Sequence, residues 1–167
     1  MWPAIIEAKE FAAKKHAGQK YGTLPYTYHL NAVFEVAVRY HLSNDICVAS
    51  CLHDVLEDTD VSYVELRSFF GPHVADLVRL VTDEPGENRW ERARKTLPKT
   101  RTDPDAVALK LCDRIANVQA CLDGIGNVDL VKAYRKEYVL FKEALYRAEE
   151  KELQPLWSKL DQMNFPG

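Results

Sequence analysis

Apolar residues recur along this chain with a helical period, and no sustained two-residue alternation marks a sheet. Pro3 suits the first turn of a helix that carries Ile6, Phe11 and Ala12 to about His16. Gly18 to Pro25 reads as a loop or a short hairpin. A second helix, from about Tyr26 to Tyr40, buries Val33, Phe34, Val36 and Ala37. Ser43 caps a third helix, apolar from Ile46 to Leu56 and therefore central. Ser62-Tyr-Val-Glu65 is a capping box that opens a fourth helix ending at Gly71. Pro72 then starts a fifth, with Val74, Leu77, Val78 and Val81 facing inward.

From Thr82 to Arg101 the character changes: an acidic turn gives way to Arg89, Arg92, Arg94, Lys95, Lys99 and Arg101. Asp103-Pro-Asp caps the next helix, which runs through Val107, Leu109, Leu111, Ile115 and Val118 to about Leu122. Gly124-Ile-Gly126 interrupts, a long helix follows from about Val128 to Glu150, and a last amphipathic piece holds Leu153, Leu156, Trp157 and Leu160. The expected fold class is all-α, with about nine helices and no internal repeat, low-complexity tract or linker.

Composition narrows the partners. Hydrophobic residues make up 47% and charged residues 28%, a balance that argues against disorder. With 22 Lys+Arg against 25 Asp+Glu, the net charge of -3 gives no global attraction to nucleic acid or to an anionic membrane. Trp90 is the one aromatic among the basic residues that follow Glu87, too little for a stacking nucleic-acid surface. No stretch reaches the ~18 apolar residues of a membrane span. The start, Met1-Trp-Pro-Ala-Ile-Ile-Glu, lacks a basic region followed by an apolar core, so a cytoplasmic protein is expected. Cys47, Cys51, Cys112 and Cys121 have neither disulfide-framework nor zinc-site spacing and read as buried, reduced thiols. Trp2, Trp157 and Phe165 either form a homodimer contact or cover the ends of the core.

The stretch that carries chemistry is Leu52-His53-Asp54-Val55-Leu56-Glu57-Asp58-Thr59, four ionisable residues in and beside the most apolar helix. Buried charge there is costly unless it is paired or coordinates a metal. On one helix, His53 and Asp54 project about 100° apart, with Glu57 a turn beyond His53 and Asp58 a turn beyond Asp54. His29 opens an otherwise apolar helix, and Asp113 interrupts another within Ala108-Leu-Lys-Leu-Cys-Asp113-Arg-Ile-Ala-Asn117. Two imidazoles and two carboxylates form a mixed nitrogen and oxygen donor set suited to Mn²⁺, Fe²⁺ or Zn²⁺, with positions left for water.

These residues resemble the HD-domain metal-dependent phosphohydrolases. More narrowly, they resemble the hydrolase domain of RelA/SpoT-type enzymes and the Mesh-type small alarmone hydrolases. The carrying segments are Ala13-Lys-Lys-His16-Ala-Gly-Gln19, Pro25-Tyr26-Thr-Tyr-His29, His53-Asp-Val-Leu-Glu57-Asp58-Thr59, Phe70-Gly71, Val81-Thr82 and Lys110-Leu-Cys-Asp113-Arg-Ile-Ala-Asn117, with a weaker echo at Lys136-Glu137-Tyr138. The resemblance implies one hydrolase domain over 1–167, a motif core at about 8–120, and C-terminal helices at 128–162 packing on it, with no room for a following synthetase domain. It implies Mn²⁺ on His29, His53, Asp54 and Asp113, with Glu57 and Asp58 as catalytic acids. Glu57 is the expected water-orienting base, and Asp58 serves proton transfer or supports it. The implied reaction is water attack at the 3′-diphosphate of (p)ppGpp, releasing pyrophosphate.

An anionic nucleotide needs a cationic rim, for which Lys14, Lys15, Lys20, Arg89 to Lys99 and Arg114 are candidates. By resemblance, Asn117 contacts the sugar-phosphate, while Tyr138 and Arg135 stand near the nucleotide. The sequence departs from the family after Gln19, where an Arg-Lys pair usually stacks on guanine and binds phosphate. Here the run is Lys20-Tyr21-Gly22-Thr23-Leu24-Pro25-Tyr26, one residue shorter, and Tyr21 offers a stacking plane without charge. Leu30 follows His29 where Pro is usual. Two alternatives stand beside the first reading. One is an HD phosphatase acting on NADPH, a deoxynucleotide or a related phosphoester; the other is an inactive nucleotide-binding module.

Overall fold

A computed structural model of the chain describes residues 2–127 and 129–164, apart from the side chain of Trp2. Phe165 and the Trp2 side chain, two of the three aromatics weighed for a subunit contact, lie outside the described residues, as does Val128. Helices α1 (Trp2–Lys15), α2 (Thr27–Arg39), α3 (Asn44–Leu52), α4 (Val55–Asp58), α5 (Tyr63–Val81), α6 (Arg89–Thr100), α7 (Pro104–Leu122), α8 (Asp129–Leu145) and α9 (Gln154–Asn164) carry the architecture. The fold is all-α. A two-stranded antiparallel hairpin, β1 (Lys20–Tyr21) and β2 (Leu24–Pro25), pairs Lys20 with Pro25 and Tyr21 with Leu24.

Local chemistry opens the helices. The Ser43 hydroxyl accepts from the Ile46 amide, Ser62 from Glu65, and Asp103 from Asp105 and Ala106, each satisfying amides that a helix start leaves unpaired. The Glu65 carboxylate pairs with Lys15, 3.2 Å away, binding α5 to α1. Gly71, at φ 84° and ψ 167°, breaks α5 into two helical segments just before Pro72.

Two elements run differently from the sequence pattern. The third helix stops at Leu52, and His53-Asp54 forms a joint before the single turn of α4. The long C-terminal helix ends at Leu145 rather than near Glu150, and a 3₁₀ turn at Lys151–Leu153 leads into α9. Residues 146–150 are good helix formers, so no local signal ends α8; packing does. The turn buries Leu145, Leu153, Leu156 and Trp157 together, with Trp157 against Phe141 and Tyr146. Gln154 closes it by donating to the carbonyls of Arg147 and Glu150.

Helix α7 runs through the middle, packed by α2, α3 and α5 on one side and by α8 and α9 on the other. Helix α3 is buried from Ile46 to Leu52. All four cysteines are buried and free, and burial pushes the Cys51 thiol up to about 12. Among the described residues no helix is long and apolar enough to cross a membrane.

Candidate metal centre and cleft

Three elements bring the polar interruptions together. His29 lies in the first turn of α2, His53 and Asp54 occupy the joint after α3, and Asp113 sits midway along α7. The Nε2 atoms of His29 and His53 are 3.1 Å apart. Asp54 Oδ2 stands 3.0 Å from His53 Nε2 and 3.5 Å from His29 Nε2. Asp113 Oδ1 stands 3.3 Å from His29 Nε2 and 3.7 Å from that of His53. Neighbouring ligands on a six-coordinate ion with bonds of about 2.1 Å stand about 3 Å apart, so His29, His53 and Asp113 could hold one divalent cation, with Asp54 beside them.

Outer contacts aim the donors. His53 Nδ1 donates to the Ser50 carbonyl at 2.9 Å, which turns Nε2 toward the centre. Asn117, one turn beyond Asp113, donates from Nδ2 to Asp113 Oδ1 and accepts at Oδ1 from the Tyr21 hydroxyl. The Tyr21 ring lies flat on His29, centroids 4.9 Å apart and planes 5° apart. The Tyr26 hydroxyl stands 2.7 Å from Asp54 Oδ2 and 3.0 Å from Asp58 Oδ2.

Burial pushes both ligand carboxylates toward neutrality, yet the imidazoles prevail. Asp54 is lowered to about 2, chiefly by His53, and Asp113 is held well below the usual carboxylate range by His29 and His53. Burial alone would lower the His53 imidazole, but Asp54 and Asp113 raise it well above its ordinary value. Both carboxylates therefore stay ionised despite their burial.

The centre opens into a cleft of about 200 Å³ lined by Glu57, Asp58, Lys110 and Arg114 among others. Burial, with Asp83 and Asp54 nearby, raises the Glu57 carboxyl above its ordinary value. Its Oε2 accepts from the Asp83 amide at 3.0 Å. Opposite the centre, Glu137 pairs with both Arg89 and Arg114, whose guanidiniums lie over the Tyr134 ring at 4.8 and 4.6 Å. Lys110 donates to the Val81 carbonyl at 2.9 Å.

Of the sequence-derived site residues, the structure gathers His29, His53, Asp54, Asp113, Glu57, Asp58, Tyr21, Asn117 and Arg114 around this cleft. It does not bring Lys20, Arg135 or Tyr138 there. Lys20 and Arg135 are exposed outside it, and Tyr138 is buried with its hydroxyl donating to Asp161. Tyr21 is engaged with His29 and Asn117 rather than standing free as a stacking plane. Of the basic side chains in that segment only Arg89 lines the cleft; Arg92, Lys95, Lys99 and Arg101 pair with Asp83, Glu91, Glu84 and Glu150. Sequence reasoning did not assign Tyr26, Arg89, Lys110, Tyr134 or Glu137 to the site individually. A polar residue on a buried helix face was the available signal for Glu137 and Lys110.

Residues 8–137 match the model of the HD domain family. The chain is 40% identical over 122 residues to a guanosine-3′,5′-bis(diphosphate) 3′-pyrophosphohydrolase of Aquifex aeolicus (strain VF5), a match that covers 69% of this chain and 17% of that protein. It is 35% identical over 122 residues to the Homo sapiens guanosine-3′,5′-bis(diphosphate) 3′-pyrophosphohydrolase MESH1, covering 69% of this chain and 68% of that one. A solved structure of a metazoan ortholog of SpoT that hydrolyses ppGpp superposes with a TM-score of 0.74 at 27% identity, over 96% of this chain and 93% of that chain.

Proposed function

We propose that this chain, which belongs to the HD domain family, is a (p)ppGpp 3′-pyrophosphohydrolase that works with one divalent ion, manganese by preference. The observation that carries the reading is the meeting of two imidazoles and two carboxylates beside Glu57 and Asp58, in one cleft with three cationic side chains. The names of the matched relatives supply the substrate. A divalent ion held by His29, His53, Asp54 and Asp113 supplies Lewis acidity toward a phosphoryl oxygen and lowers the pKa of water.

The chain's own residues do the rest. Arg89, Lys110 and Arg114 meet the phosphate charge. Glu57, its carboxyl raised and one oxygen held by the Asp83 amide, takes a proton from the attacking water. The water oxygen bonds to the phosphorus on ribose O3′, the P–O3′ bond breaks, and Asp58 delivers a proton to O3′. Pyrophosphate leaves, and GDP or GTP remains.

The test is a nucleotide panel of ppGpp, pppGpp, NADPH and deoxynucleotides with the manganese-loaded protein. Pyrophosphate released from ppGpp is expected. Orthophosphate from NADPH with ppGpp untouched would replace the substrate, and binding of all four without turnover would leave a nucleotide-binding module. Elemental analysis of the protein as purified decides between manganese, iron and zinc.

A further inference from the structure

The C-terminal end of α1 holds a polar side chain that the reaction above does not use. His16 is 2% exposed, and its ring stacks on Tyr26 with centroids 4.7 Å apart and planes 18° apart. Its Nδ1 lies 2.7 Å from Gln19 Oε1. Gln19 in turn donates from Nε2 to the backbone carbonyl of Asp58 at 2.7 Å. That second bond fixes the Gln19 amide, since a carbonyl only accepts, and so Oε1 must face His16. His16 therefore donates from Nδ1, and its Nε2 is a bare acceptor. Nε2 is buried with no hydrogen-bond partner among the described residues.

Leaving a buried acceptor unmatched is costly. Phenylalanine would stack on Tyr26 without that cost. What histidine adds here is the Nδ1–H, aimed at Gln19, which grips the Asp58 backbone. Its ring also supports Tyr26, whose hydroxyl stands 3.0 Å from Asp58 Oδ2. We propose that His16 is a positioning residue that sets Asp58 by two routes, through Gln19 to the main chain and through Tyr26 to the carboxylate. The role rests on the hydrolase reading of the cleft.

The test compares His16→Phe, which keeps the ring and loses the donor, with His16→Asn, which places an amide N–H near the Nδ1 position and loses the stack. With ppGpp, His16→Phe is expected to lower kcat roughly ten- to a hundredfold, the scale on which small misplacements of catalytic groups are felt. KM and metal content should stay within about twofold of the parent, as for a group felt in the transition state alone. The melting temperature should change little, because the bond to Gln19 is lost together with the unmatched acceptor. His16→Asn should recover part of the lost rate. Full activity of His16→Phe, or a loss that tracks melting temperature or metal content, would overturn the role and leave a packing histidine. Long-range ¹H–¹⁵N spectra of the imidazole require no substrate and are expected to show the Nδ1–H tautomer. An Nε2–H or doubly protonated ring overturns the proposal even if ppGpp is hydrolysed. If ppGpp is not hydrolysed while the Nδ1–H tautomer is present, it is the substrate reading that fails.

Discussion

Replacing Glu137 by Gln removes the carboxylate that Arg89 and Arg114 share opposite the metal centre. Glu137 is 8% exposed, and the exchange keeps its shape, so packing is unchanged and the loss is of charge. The amide oxygen still accepts from one guanidinium, while the NH₂ group confronts the other. Breaking a wholly buried pair costs about 3–5 kcal/mol. Here the Arg89 side chain is 40% exposed and water screens its share, whereas Arg114, 13% exposed, bears the loss almost undiluted. The Tyr134 ring under both guanidiniums compensates part of the lost charge. The expected destabilisation is about 1–3 kcal/mol. At about 2–4 °C per kcal/mol for a domain of this size, the melting temperature should fall by roughly 2–12 °C. Differential scanning calorimetry, with and without manganese, measures it. A melting temperature equal to or above that of the parent would show that the two arginines do not depend on Glu137, and the reasoning about the cleft's far wall would be wrong.

Changing Asp58 to Asn should lower kcat by about 10²–10⁴, the range for losing a proton-transfer group, while calorimetric nucleotide affinity holds; undiminished turnover would remove Asp58 from the mechanism. The acid limb of the kcat/KM profile should lie above the ordinary carboxylate range, because the Glu57 carboxyl is raised and its basic form is needed. A carboxyl raised on folding opposes stability once pH passes its folded pKa, so Glu57→Gln should be inactive yet melt no lower than the parent at neutral pH; a clear drop would contradict the sign. Gly22 sits at φ 61°, and a Cβ there would collide with the Ile125 carbonyl. Gly22→Ala should therefore displace the hairpin, loosen Tyr21 from His29 and lower both melting temperature and bound metal, the left-handed conformation alone costing about 1–2 kcal/mol. Chelation with EDTA should lower the melting temperature of the metal-loaded protein, and re-addition of manganese should restore it, as for any ligand that binds only the folded state.

Much of this molecule was legible because helix signals are local. Ser43, Ser62 and Asp103 cap amides two or three residues away, and Gly71 breaks the chain where it stands, so pattern alone located those ends. The candidate metal centre announced itself for a related reason. An ionisable group in an apolar helix needs a partner, and His53, Asp54 and Asp113 each interrupt such a helix. The end of α8 carried no local mark, since the turn at 146–150 exists only because it lets α9 fold back onto α7 and α8. Arg135 and Tyr138 were likewise assigned by resemblance and placed elsewhere by the packing of α8, and Lys20, named for its charge, lies exposed on the hairpin.

Residue type and spacing by themselves determined the helical class, the caps and which ionisable residues interrupt apolar helices, because hydrogen bonds within a helix and the cost of buried charge act at short range. Only the tertiary structure decided that Glu137 ties Arg89 to Arg114, that Tyr21 lies flat on His29, and that His16 reaches Asp58 through Gln19. Those contacts join elements far apart along the chain. Which side chains meet there depends on how the apolar faces of α2, α3, α5 and α7 pack, and no local period encodes that geometry.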